Sequence, residues 1–453
     1  MISEQRPAME PKDNLRGQLT RRDFLQRAAA LGIGSSAALT LLNACTGPLA
    51  SSGTPITYWN LFTGGDGVRM VSMENGFTQS QHQIDLESVT LAWGAPYYTK
   101  LAMAAAGGRA PDVAISHMTR VPIYANEHLL DPFDIDELAS VGITEDKFLA
   151  PIWQRAFTNG KLYCIPLDTH PFVLYYNIDI CQKAGLLNAD DSLKPLDNPD
   201  ALIAAFTQAK KVTGGLGLAA EAGAITAWRL FYTLYSQLGG EVLSADGKHL
   251  IMDDAKSIQV LTFMADLTLQ SKVASPQVDA AGAVALFGSG QAGFLWDGEW
   301  EVTTFQAEKN LKFNMVPFPK LYDTYRVQAD SHSFVLPYQL TVDAKKRAAA
   351  LEFISYMLKT SQHWAQGGHI PAYLPVTESS AYKELKPQSN YANVAADVVL
   401  DPTAWFSGSG SELENQAGAA FQGVFTGQLT PAQGLKQFQA AIQKLLAIPP
   451  FLS

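Results

Sequence analysis

Hydrophobic and polar positions switch between two periods along this chain, and the switching predicts an α/β protein. Residues 56–59 alternate as a short strand, and residues 67–77 carry apolar side chains at helical spacing. Residues 84–89 return to a strand pattern, 97–106 to a helix and 113–115 to a strand. Such alternation predicts an open, mainly parallel sheet covered by helices. Ligands of these sheets gather beyond the carboxyl ends of strands, which makes the loops after Trp59 and Ile115 candidate contact loops.

Farther along, helical patterns dominate. Asn198-Pro199 joins a capping side chain to a proline at the first helical position, predicting a helix to residue 212 that stops at Gly214-Gly215. Residues 224–238, 254–269, 345–358, 412–424 and 433–446 carry further helical patterns. Residues 162–165, 172–176, 293–296 and 313–318 read as strands between them.

Near the start, residues 28–42 are apolar or small throughout, but the run is shorter than the ~18–20 residues a membrane-spanning helix needs. Thr20-Arg21-Arg22-Asp23-Phe24-Leu25 just before it resembles a twin-arginine export signal, and Leu42-Asn43-Ala44-Cys45 at its end resembles a bacterial lipobox. These motifs predict a signal peptide over 1–44, with Arg21 and Arg22 as its export signal and Cys45 as a lipidated first mature residue. A flexible Ser/Gly/Pro tether would follow over 45–55, holding an exported protein on the outer face of the cytoplasmic membrane.

The formal net charge is −10, and because the leader is basic the rest of the chain is more acidic still. An acidic body argues against nucleic acid as a partner. Only Cys164 and Cys181 remain beside Cys45, which excludes a disulfide-dense scaffold; one bridge between them stays open, while their apolar surroundings favour two buried free thiols. The body is long enough for two domains.

Five motifs then follow in a fixed order. Residues 101–113 run Leu-Ala-Met-Ala-Ala-Ala-Gly-Gly-Arg-Ala-Pro-Asp-Val; next come Ile165-Pro166-Leu167 with Leu174-Tyr175-Tyr176-Asn177 and Lys183-Ala184-Gly185-Leu186. Phe287-Gly288-Ser289-Gly290-Gln291-Ala292-Gly293 leads to Trp296 and Gly298-Glu299-Trp300. Val316-Pro317-Phe318-Pro319, and the stretch from Ala349 through Trp364 to Pro371, complete the series. In this order they resemble the sugar-type family of extracellular solute-binding proteins of bacterial ABC importers. The resemblance implies a two-lobed, periplasmic-binding-protein-like (type II) α/β fold with a ligand cleft between the lobes. One lobe would take 54–167 and 331–372, the other 168–330 and 373–453, with hinges near Leu167-Asp168, Ala329-Asp330-Ser331 and Pro371-Ala372-Tyr373. It further implies a non-catalytic, monomeric receptor without a cofactor, whose partners are a sugar or oligosaccharide and the membrane subunits of an ABC permease.

A sugar site needs aromatic platforms with polar groups at their rims. Trp93, Trp228, Trp300 and Trp405 are the candidate platforms, with core packing the competing role for each. Thr63, Gly64 and Asp66 after the first strand, and Ser116, His117 and Arg120 after the third, are candidate polar contacts. Asp168, His170, Asp297, Glu299 and His332 lie at or near the expected crossings and complete the set. His117, His170 and His332 share no local ligand spacing and are read as polar contacts, with no metal site expected. Two alternatives stay open. A glycerol phosphate or polyamine binder is one, with Arg120, and more weakly Arg229, as its phosphate contacts. The other is an exported glycosidase using Asp168 and Asp297 as paired carboxylates.

Overall fold

Strand β1 (Thr54–Asn60), buried at alternate positions, opens the part of the chain that the structure describes. A computed structural model describes residues 53–448; Arg21, Arg22, Cys45 and the tether as far as Ser52 lie outside the described residues. From β1 the chain continues through α1 (Gly64–Ser80), β2 (Ile84–Thr90), α2 (Ala95–Ala106) and β3 (Val113–His117), then the short strands β4 (Leu130–Asp131) and β5 (Cys164–Pro166). The ten-residue β6 (Asp168–Asn177) follows, buried at every position. Beyond it come α3 (Pro199–Thr213), β7 (Leu216–Ala219), α4 (Ala224–Gln237), α5 (Asp254–Leu269), α6 (Ala280–Gly288), β8 (Ala292–Gly298) and β9 (Phe313–Pro317). The last principal elements are β10 (Val327–Asp330), β11 (His332–Pro337), α7 (Ala344–Lys359), β12 (Ile370–Pro371), β13 (Val398–Val399), α8 (Glu412–Phe425) and α9 (Pro431–Leu446).

Two sheets organise these elements. In the first the order is β2-β1-β3-β11-β4, with β5 also on β11. Its β1 runs parallel to β2 and β3, as the alternating strand and helix pattern predicts, while β11 returns antiparallel from far along the chain. In the second the order is β13-β10-β6-β8-β7, with β9 and β12 also paired to β6. Each sheet has its own core. Ile56, Ile115, Phe334, Phe353 and Trp364 belong to one; Phe206, Trp228, Trp296, Phe421 and Phe438 belong to the other. These two cores define two lobes, and the chain passes between them near 167–172, near 327–334 and again past residue 370.

Local chemistry sets the helix ends. Asn198 accepts a hydrogen bond from the Ala201 amide to start α3, and Gly214 ends it in a left-handed conformation (φ 67°). Helix α9 begins at Pro431, earlier than its apolar pattern suggests, because Thr430 and Gln433 form a reciprocal capping box. Cys164 and Cys181 are both free and buried, as expected. Among the described residues no helix is long and apolar enough to cross a membrane.

Candidate functional site

Register brings the candidate site together. In the first sheet His332 lies opposite His117, and in the second Asp330 lies opposite His170 and Pro371 opposite Asp168. Residues from all three interlobe crossings therefore meet at the base of one cleft.

Above that base lie two cavities of about 400 and 430 Å³, which share Trp93, Arg229, Trp300 and Glu301. Thr63, Gly64 and Asp66 line the first, at the start of α1; Thr63 makes no side-chain cap, which leaves first-turn amides free to donate. His117, His170 and His332 line its floor. Phe172, Glu221 and Asp297 line the second cavity. Trp93 is 40% exposed, an unusual setting for an indole and a suitable one for a stacking platform. Trp300 is half-buried against Gly298, where a β-carbon would come 2.0 Å from the indole ring; glycine is what lets the ring lie down there.

Charge in the cleft is predominantly acidic. Asp66, Glu221, Asp297 and Glu301 stand against Arg229. Burial, then the neighbouring Glu301, push the Asp297 carboxyl up to about 7. The Arg229 guanidinium is buried over the faces of Trp300 (5.1 Å) and Phe172 (5.4 Å), and its Nε has no hydrogen-bond partner among the described residues. It stiffens Trp300 and carries the cation between the two cavities.

Beneath the floor, Asp168 organises a buried network. Its Oδ1 accepts from His170 Nδ1 (3.0 Å) and the His332 amide (2.8 Å), while its Oδ2 accepts from His332 Nδ1 (2.7 Å) and Trp364 Nε1 (2.6 Å). Burial alone would raise this carboxyl, but the His332 and His170 imidazoles outweigh it and hold Asp168 well below the usual range. Burial, then His332, push His170 down to about 3, so it is neutral at pH 7. His117 is lowered for the same reasons, with Tyr98 Oη against its Nδ1. His369 behaves oppositely. Burial works against its charge, yet Asp66 at 3.0 Å, with Glu299 and Asp168 nearby, holds it well above the ordinary imidazole value.

The structure gathers many of the sequence candidates around this cleft and puts others elsewhere. Thr63, Gly64, Asp66, Trp93, His117, His170, Asp297, Trp300 and His332 line one or both cavities. Asp168 and Glu299 lie fully buried below them, and Ser116 is buried within β3. Arg120 packs over Tyr98 and donates to the Ser409 carbonyl. Trp228 is buried in the second core, stacked on Tyr232 with its Nε1 on Asp401. Trp405 lines a separate cavity with Phe406 and Lys248. The pattern reading passes over Glu221, Glu301 and His369, and ranks Arg229 below Arg120. Arg229 directly follows Trp228, and the ~100° turn per helical residue sends one side chain to the core and the other to the cleft.

Two α/β lobes with an aromatic, hydroxyl-accepting cleft between them define a two-lobed solute receptor. The chain belongs to the bacterial extracellular solute-binding proteins, whose family model matches residues 70–364. It is similar to the sn-glycerol-3-phosphate-binding periplasmic protein of Yersinia enterocolitica, with 23% identity over 416 residues covering 84% of this chain and 90% of that one. It is also similar to the arabinooligosaccharide-binding protein of Bacillus subtilis, with 28% identity over 238 residues, 51% of this chain and 52% of that one. Among solved structures, the GacH receptor of Streptomyces glaucescens, known unliganded and with acarbose, matches with a TM-score of 0.74 at 19% identity, over 87% of this chain and 98% of that one. A Listeria monocytogenes ABC substrate-binding protein in complex with cycloalternan matches with a TM-score of 0.73 at 20% identity, over 88% and 100%. These likenesses establish the two-lobed, periplasmic-binding-protein-like fold expected from the sequence.

Proposed function

We propose that this protein is the solute receptor of an ABC importer and that it captures a neutral sugar or oligosaccharide between its lobes. The observation that carries the reading is the pairing of Trp93 and Trp300 at the junction of two cavities rimmed by Asp66, Asp297 and Glu301. Indole faces cover the apolar faces of a sugar ring, and carboxylates accept its hydroxyls in pairs. Two adjoining cavities suit two or more linked rings. The named ligands of the relatives, arabino-oligosaccharide, acarbose and cycloalternan, are of the same chemical kind.

The glycerol-phosphate reading draws on the Yersinia relative. Against it stands the charge of the cleft, where four acids face one guanidinium already engaged with two aromatic rings. The glycosidase reading needs Asp168 to reach a solute, and Asp168 is fully buried under four hydrogen-bond donors. The receptor is therefore taken as non-catalytic. Hinge motion about the three crossings would close the lobes on the solute. Export by the Arg21-Arg22 signal and a lipid on Cys45 would keep it beside its permease.

Calorimetric titration of the purified chain against neutral oligosaccharides, glycerol phosphate and a polyamine tests the proposal. Binding confined to the neutral sugars is expected. Binding of glycerol phosphate or polyamine with none of the sugars would reject it.

A further inference from the structure

Asp168, His170, His332 and His369 meet where the crossings between lobes pass one another. One ligand-type atom from each lies within 4.8 Å of the others, and all four residues are buried. The Nδ1 atoms of the three imidazoles face the Asp168 carboxylate at 3.0, 2.7 and 3.6 Å. Ligands at ordinary zinc bond lengths of ~2.0–2.2 Å stand ~3.4 Å apart around a tetrahedron, so small side-chain adjustments would close these four on one ion.

Two further observations point to a cation. Glu299 is fully buried beside His369, and its Oε2 has no hydrogen-bond partner among the described residues. Its Oε1 lies 2.9 Å from His369 Nδ1, so two carboxylates, Asp168 and Glu299, converge on one imidazole nitrogen. Asp66, Glu299 and Asp168 thus surround one imidazole, and acids at this density need a positive centre, which a protonated His369 supplies when no ion is bound and which a metal ion would supply in its place. Backbone geometry enforces this proximity. Gly368 has φ 112°, and a β-carbon there would sit 2.1 Å from the Glu299 carbonyl oxygen.

We propose that Asp168, His170, His332 and His369 bind a divalent transition-metal ion, zinc by preference, with Glu299 as an adjacent oxygen donor. Three imidazoles and a carboxylate form a donor set suited to zinc. Holding the ion requires His170 and His332 to carry their protons on Nε2 in place of the Nδ1 positions that donate to Asp168, and His369 to release its Nδ1 proton to solvent while its Nε2 proton stays on Asp66. The lack of a His-x-x-x-His spacing does not count against this site, because its ligands come from three separate crossings. A metal there would tie β6, β11 and the segment entering β12 at the hinge. The inference is independent of which solute the cleft takes.

The test is metal content and affinity in the full chain, stripped with chelator, reloaded with zinc and dialysed. About one zinc per chain is expected, with affinity lowered ~100-fold or more in His332→Ala and in His369→Ala. His249→Ala, in an exposed loop, should bind as the wild type does. Cobalt(II) loaded into the wild type should give the intense visible bands of a tetrahedral nitrogen–oxygen site, bleached by zinc. This spectrum also decides the matter if a variant fails to fold. No retained zinc, equal retention in the cluster variants, or a weak octahedral cobalt spectrum would overturn the proposal.

Discussion

Removing the Trp300 indole should weaken solute binding by an amount that depends on the solute's length. A buried tryptophan covers ~150–250 Å², so one face laid on a sugar ring accounts for ~60 Å². At ~25 cal/mol per Å² that face contributes about 1.5 kcal/mol, or ~10-fold in affinity. Because Trp300 borders both cavities while Arg229 already covers one face of the ring, a solute occupying both would add ~20 Å² along the indole rim to the face it covers. The loss in Trp300→Ala then approaches ~2 kcal/mol, or ~30-fold, for a longer oligosaccharide. Calorimetry with a mono- or disaccharide and its longer homologue, on wild type and variant, gives both numbers. Urea unfolding of the variant without solute separates any loss of stability. A folded Trp300→Ala protein that loses less than ~3-fold in affinity for every solute would refute the reasoning, and equal losses for short and long solutes would refute the two-cavity part of it.

Other consequences concern the crossings between the two sheets and the second core. Burial pushes the Asp330 carboxyl up to about 6 from 3.8. A raised carboxyl binds its proton more tightly in the folded state, so its contribution to stability is full below about pH 4 and is lost as pH rises through 6, a change of roughly 3 kcal/mol. Urea midpoints should therefore show wild type losing ground to Asp330→Asn between pH 4 and 7; a constant difference would rule this out. Gly368→Ala should cost about 3 kcal/mol or more of stability, because it combines a left-handed φ with a backbone clash at Glu299, and denaturant melts that match the wild type would exclude the clash. Trp228→Phe should leave solute affinity within ~2-fold, since that indole lies in the second core, and a larger loss with intact folding would return Trp228 to the site.

Much of the fold was legible because its signals are local. Alternation marked β1, β2 and β3, and the caps Asn198 and Gly214 bounded α3 within a residue or two. The cleft was legible only in part, because its chemistry depends on contacts between distant segments. Trp228 and Trp300 look equivalent in sequence, but Asp401, far along the chain, holds Trp228 in the core, whereas Gly298 lays Trp300 along the cleft wall. Asp168, Thr169 and His170 read as a polar crossing loop, yet they begin a fully buried strand, because His332 and Trp364 satisfy the carboxylate from elsewhere in the chain. His369 carries no motif of its own. Its place beside Asp66 and Glu299 arises from the meeting of the crossings.

If Trp93 and Trp300 hold the solute between the lobes, a crystal structure of the protein with a bound oligosaccharide will show it there. Sugar rings stacked on one or both indoles are expected, with hydroxyls donating to Asp66, Asp297 or Glu301. A solute seated away from both tryptophans, or a phosphate group on Arg229 as the main contact, would contradict it.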